Sequence, residues 1–173
     1  KPMALDSIFR IYSMTKPVVS VAIMMLMERG KLLLSDPVSK YLPEFANVQV
    51  MAHVSGHAVL HHPKAAPTVQ DLLRHTSGLT YEILGSEPIQ KQYAQARLAS
   101  RERSNAEFSQ ALAAMPLMFE PGTTWEYSRA TDLLGALLEV VAGQSLGDFL
   151  QHNIFGPLGM VDTAFHVPPE KHH

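Results

Sequence analysis

The chain has 173 residues, of which 46% are hydrophobic and 17% charged, so it can bury the core of one domain and is too short for two ordinary ones. Lys plus Arg total 14 and Asp plus Glu total 16, a net charge of −2 that argues against a nucleic-acid binder held by phosphate contacts. Cysteine is absent, which excludes a disulfide framework, a thiolate nucleophile and any cysteine-containing metal site.

In chain order, residues 8–12 (Ile8-Phe9-Arg10-Ile11-Tyr12) read as a short strand or an extended lead-in. Residues 13–30 read as one helix. Pro17 is tolerable only near its start, and Gly30 closes it after Glu28-Arg29. The run from Val18 to Met27 is apolar on all sides, which predicts a helix enclosed by other elements. Residues 17–27 are the longest apolar stretch, about half of the ~20 residues a bilayer span requires, so no membrane span is expected. Residues 31–67 are irregular, broken at Asp36-Pro37 and Leu42-Pro43, with a small peripheral hairpin expected from residues 48–50 and 57–60.

Thr68 with Asp71 has the spacing of a capping box and opens a short helix through Leu72 and Leu73, with a stop at Gly78. Ser104 with Glu107 repeats the signal ahead of Phe108, Ala111, Leu112 and Met115, ended by Pro116. Pro121-Gly122 marks a turn. Apolar positions 133, 134, 137, 138, 140 and 141 follow the helical period from Ala130 to Ala142, and Gly143 stops the run. Ser145 with Asp148 caps one more helix. Helical signals dominate, so the chain is read as mainly α, either an all-helical domain or the helical part of something whose sheet lies elsewhere.

Four features could carry chemistry. Ser13-Met14-Thr15-Lys16 puts a hydroxyl and an amine on one face at a helix start. A serine hydroxyl needs an adjacent base to become a nucleophile, and a lysine enclosed by apolar surface sheds its charge and can accept that proton. The competing reading makes Ser13 a simple N-cap, and a Ser-x-x-Lys match arises by chance on the order of once in a chain this long. Tyr127, in Trp125-Glu126-Tyr127-Ser128, offers a phenol that could relay protons, or an aromatic pair closing the core. Gly143-Gln144-Ser145-Leu146-Gly147 matches a nucleophile elbow in letters only. That motif needs a strand-to-helix turn, whereas Ser145 falls between two helices as a cap. His53, His57, His61 and His62 lack interspersed carboxylates and helical spacing, so they read as a solvated loop and not a metal site.

Taken together, residues 9–17 (Phe9-Arg10-Ile11-Tyr12-Ser13-Met14-Thr15-Lys16-Pro17), 36–43, 71–79 (Asp71-Leu72-Leu73-Arg74-His75-Thr76-Ser77-Gly78-Leu79), 119–135 and 155–160 resemble, in order, the serine β-lactamase-like superfamily. Within it the match is to the branch of class C β-lactamases, family VIII carboxylesterases and D-alanyl-D-alanine peptidases. The resemblance implies the helical subdomain of the α/β β-lactamase/transpeptidase-like fold, with most of the antiparallel sheet missing. It further implies that residues 1–173 are a single domain, a fragment of a larger serine hydrolase. Ser13 would be the acylated nucleophile and half of the oxyanion hole through its backbone N–H, Lys16 its proton partner, and Tyr127 the Tyr of the Tyr-x-Asn motif. No metal or organic cofactor is implied, and the compartment stays open between bacterial cytoplasm and periplasm.

Two positions depart from the family pattern. Arg129 stands where lactamase-like members carry the Asn that helps hold the substrate amide, which makes Arg129 the candidate substrate-binding residue and tilts the expected substrate from lactams to simple esters. The third motif, Lys-Thr-Gly or His-x-Gly on a strand, occurs nowhere in the chain. The expectation is an esterase acting through an acyl-enzyme on a small-molecule ester, with β-lactamase or peptidase as alternatives and a non-catalytic piece as a third. Helix faces left uncovered by sheet predict an exposed apolar patch and self-association.

Overall fold

The computed structural model describes residues 3–4, 7–54, 57–84 and 87–171. Gly56 of the histidine run and the terminal His172-His173 lie outside them. Six α-helices and one two-stranded sheet are described: α1 (Thr15–Glu28), β1 (Val50–Val54), β2 (His57–His61), α2 (Val69–Leu73), α3 (Glu87–Gln95), α4 (Asn105–Ala113), α5 (Ala130–Ala142) and α6 (Leu146–Leu150).

Helix α5 is the hub. Its first nine positions bury Ala130, Thr131 and the run from Leu133 to Leu138, and α1, α2, α4 and α6 all pack on it. Fully burying each of its leucines stabilises the fold by about 1.5–3 kcal/mol. Gly135 lets α6 approach closely, since a Cβ there would stand 3.1 Å from Leu146 Cδ2. Gly143, at φ +66°, ends the helix in the left-handed conformation glycine favours. No single described helix is long and apolar enough to cross a membrane.

Both capping boxes form as the sequence predicts. Thr68 Oγ1 accepts from the Asp71 backbone N–H while the Asp71 carboxylate accepts from that of Thr68, and Ser104 and Glu107 do the same for α4. Ser145 caps α6 by accepting from the Asp148 N–H, which agrees with its structural reading. The helix then continues as a π-helical turn, Gln151–Phe155.

Of the two readings of residues 8–12 the lead-in stands: residues 7–11 run exposed, outside any strand, into a 3₁₀ turn at Tyr12–Met14. Other expectations are corrected. Helix α1 is not enclosed: Val19, Ala22, Ile23 and Leu26 are buried, but Val21 is 52% exposed. The apolar residues around the helix are thus covered on one side only, and Phe9, Ile11, Met14 and Trp125 are exposed as well. The hairpin exists, but it pairs Val50 with His61 through Val54 with His57, so His57 and His61 lie on a strand and not in a loop. No group of His, Asp and Glu among the described residues could hold a metal ion. Helix α3 was not expected from the sequence.

The irregular stretch after α1 is tied down by Asp36. Its carboxylate accepts from the Leu33 N–H at 2.8 Å, from Lys40 Nζ at 2.9 Å and from the Tyr41 hydroxyl. The backbone then pairs across, Val38 N to Pro67 O and Val69 N to Asp36 O, which sets where α2 begins. The Tyr41 bond, then the Leu33 N–H and Lys40, hold the Asp36 carboxyl down to about 2, from its usual 3.8. A carboxylate lowered in the folded state contributes stability above its unfolded value and loses it as the pH falls through the folded one. Asp36→Asn should therefore lower the thermal midpoint at pH 7 and flatten its fall between about pH 4 and 2. An unchanged acid limb in thermal melts would contradict this.

Candidate active site

The residues that meet at Ser13 come from three places in the chain. Ser13 sits in the 3₁₀ turn just before α1, and Tyr12 ahead of it adopts φ +44°, a left-handed conformation rare for an aromatic residue. Lys16 is one turn further on the same face. Its Nζ lies 3.2 Å from Ser13 Oγ. The N-cap of α1 is Met14, with no side-chain capping bond, so Ser13 is not a cap.

Tyr127 arrives from the stretch between Gly122 and α5, which runs alongside the loop after α2. Gly122 N donates to Thr76 O at 2.8 Å, Glu126 N to His75 O at 2.9 Å and Arg129 N to Thr80 O at 3.3 Å. Gly78, at φ +86°, lies against Phe119 O, where a Cβ would come within 2.5 Å. The pairing carries the Tyr127 hydroxyl to 2.6 Å from Ser13 Oγ. Tyr127 is half-buried and Trp125 exposed, so the two do not close the core.

The electrostatics reverse one expectation. Burial does pull Lys16 toward the neutral form, but hydrogen bonding to the Tyr127 and Tyr81 phenols outweighs it, and its pKa is raised. Lys16 is an ammonium at neutral pH. Tyr127 moves the opposite way: hydrogen bonds with Lys16 and then Ser13 lower its pKa, against burial and the charge of Asp132. The lysine 4.8 Å from its ring centroid thus favours the phenolate.

Four neighbours were not singled out in the sequence. His75, at φ +56°, lies 5.0 Å from the Tyr127 ring, and its Nδ1 is 3.1 Å from Ser128 Oγ. Ser128 Oγ also accepts from the Ala130 N–H. Burial and then the charge of Lys16 lower the His75 pKa, in keeping with a neutral ring. Tyr81 stacks on Tyr127 at 5.5 Å, Glu82 pairs with Arg129, and Asp132 Oδ2 stands 4.0 Å from Arg129 Nη1. The only signal for them was adjacency to the 71–79 block and the i+3 spacing of Arg129 and Asp132. A cavity of about 510 Å³, lined by Lys16, Val19, Phe108, Arg129, Asp132 and Leu146 among others, opens between α1, α4 and α5.

Residues 1–173 match the Beta-lactamase family. The chain belongs to that family. It is 40% identical over 167 residues to Protein Rv1367c of Mycobacterium tuberculosis, covering 96% of this chain and 41% of that protein. It is 38% identical over 169 residues to Esterase EstB of Burkholderia gladioli, covering 95% and 40%. Among solved structures, EstCE1, a hydrolase with promiscuous acyltransferase activity, superposes with a TM-score of 0.74 at 34% identity, over 92% of this chain and 40% of its own. The chain thus spans about two fifths of the length of these relatives. The helices and two-stranded sheet of the described residues are a partial β-lactamase-like fold, from a family that includes esterases and acyltransferases.

The Lys16–Tyr127 pairing gives a prediction. In Lys16→Met the Tyr127 pKa should rise, because only the Ser13 hydrogen bond would then oppose burial and the charge of Asp132. Tyrosine titration followed by ¹³C NMR would read this, and an unmoved Tyr127 would contradict the pairing.

Proposed function

We propose that the protein carrying this chain is a serine hydrolase that forms an acyl-enzyme on Ser13, with small carboxylic esters as substrates. The observation that carries the reading is a hydroxyl within hydrogen-bond reach of both a lysine and a tyrosine with a lowered pKa. In the forward step Tyr127 takes the Ser13 proton while Oγ attacks the ester carbonyl carbon. Lys16 holds the phenol in its basic form. The tetrahedral oxyanion forms near the start of α1, where backbone N–H groups and the helix dipole favour negative charge. Collapse expels the alcohol, which takes its proton from Tyr127. Water then attacks the acyl-Ser13 ester with Tyr127 again as base, and Tyr127 returns that proton to Ser13 Oγ as the acid leaves.

Acyl transfer to an alcohol is the same sequence with that alcohol in place of water, and the promiscuous acyltransferase activity of the similar EstCE1 supports it as the second reading. Lactam and D-alanyl-D-alanine hydrolysis share the nucleophile but place a demand on the position that Arg129 fills. A panel of p-nitrophenyl esters, a chromogenic cephalosporin and a D-alanyl-D-alanine peptide separates them. Short-chain esters should turn over at least 100-fold faster, as kcat/KM, than the other two. Ser13→Ala should lose at least 1,000-fold on the ester and Tyr127→Phe about 100-fold or more. Lactam turnover equal to that of the ester, or ester turnover surviving Ser13→Ala, would overturn the proposal.

A further inference from the structure

The residue at the family's Asn position is already committed. The Arg129 guanidinium meets both oxygens of Glu82, through Nε at 3.2 Å and through Nη2, and its side chain is only 14% exposed. Its Nη1 stands 4.0 Å from Asp132 Oδ2, and on that flank both residues border the cavity between α1, α4 and α5. The same guanidinium lies over the Tyr81 ring, with Cζ 4.6 Å from the centroid. Tyr81 in turn stacks on Tyr127, with 29° between the rings, and Lys16 Nζ stands within 5.9 Å of one ring centroid and 4.8 Å of the other. Charge and π-face therefore alternate from Glu82 through Arg129, the two tyrosine rings and Lys16 to Ser13.

We propose that Glu82, Arg129 and Tyr81 form a clamp that holds the Tyr127–Lys16 pair against Ser13, which makes Arg129 a positioning residue and not a contact for the substrate. This rests on the acyl-enzyme reading above. A substrate carboxylate seeking the two-point Nε–Nη2 edge of the guanidinium would have to displace Glu82, a partner of the stronger class of charged hydrogen bond. Cation–π attraction sets the height of Arg129 over Tyr81, and the Glu82 fork sets its in-plane angle. Tyr81 in turn stacks on Tyr127. A phenol lying 2.6 Å from the attacking oxygen is sensitive to such support, because displacement of about 1 Å can cost on the order of 100-fold in rate.

The test uses Arg129→Leu, Arg129→Lys and Glu82→Gln in the full chain, with ester kinetics, thermal melts and ¹³C NMR titration of the tyrosines. Arg129→Leu and Glu82→Gln should each lower kcat about 10-fold with KM within about twofold, and move the Tyr127 pKa upward. Arg129→Lys keeps the charge but not the planar fork, so it should fall between. The Arg129→Leu/Glu82→Gln double variant should be no worse than the worse single one, as expected for groups acting as a unit. If Arg129→Leu raises KM several-fold at unchanged kcat while Glu82→Gln is silent and Tyr127 is unmoved, Arg129 binds substrate and the clamp is wrong. Should Arg129→Leu fail to fold, Glu82→Gln, which preserves shape, decides by the same readouts. Ser13→Ala run in parallel tests the underlying reading separately, since the Tyr127 titration reports on the clamp whether or not Ser13 is the nucleophile.

Discussion

A hydrogen-bond-length contact between Ser13 and Tyr127, 114 residues apart, is the constraint that the rest of the fold serves. Closing a loop of that length costs entropy that the contact alone could never offset. The compensation comes from the buried face of α5, which anchors α1 on one side and the stretch carrying Tyr127 at its own N-terminus. Three backbone hydrogen bonds between the loop after α2 and residues 122–129 then leave Tyr127 no choice of direction. Arg129 falls inside this join, where its side chain reaches back to Glu82 on the loop it is paired with.

The charge arrangement follows from that geometry. A lysine beside a serine, taken alone and enclosed by apolar surface, would be driven toward its neutral form. Two phenols near the amine invert the outcome, because each can hold the ammonium and one of them gains acidity in return. Tyr81, whose pKa burial and then Asp132 raise, remains a neutral ring and serves as packing against Tyr127. Two tyrosines in contact thus take different parts because only one of them touches the serine.

What was legible in the sequence was local. Capping boxes at Thr68 and Ser104, the period of residues 130–142 and the glycine stops at 30 and 143 each depend on neighbours within a turn, and each formed. Ser13, Lys16 and Tyr127 came from a resemblance spread over several blocks, and the structure brings the three side chains together. Helix α3 escaped notice because Ile89 and Tyr93 are its only fully buried apolar anchors on an otherwise polar segment. The enclosure expected of α1 failed for a different reason: hydrophobicity on all sides states what could be covered, not what is. Glu82 and Tyr81 were invisible because their meaning depends on Arg129, 47 residues further on, and no local pattern encodes that pairing.

The central claim is that Ser13 is the hydroxyl this arrangement activates. Intact mass after exposure to a fluorophosphonate near pH 8, followed by peptide mapping, tests it most directly. The account predicts a single phosphonyl adduct on Ser13 that is absent in Ser13→Ala. An adduct on Ser145, whose hydroxyl is occupied in capping α6 and bonding Asp148, or no adduct on any serine, would contradict it.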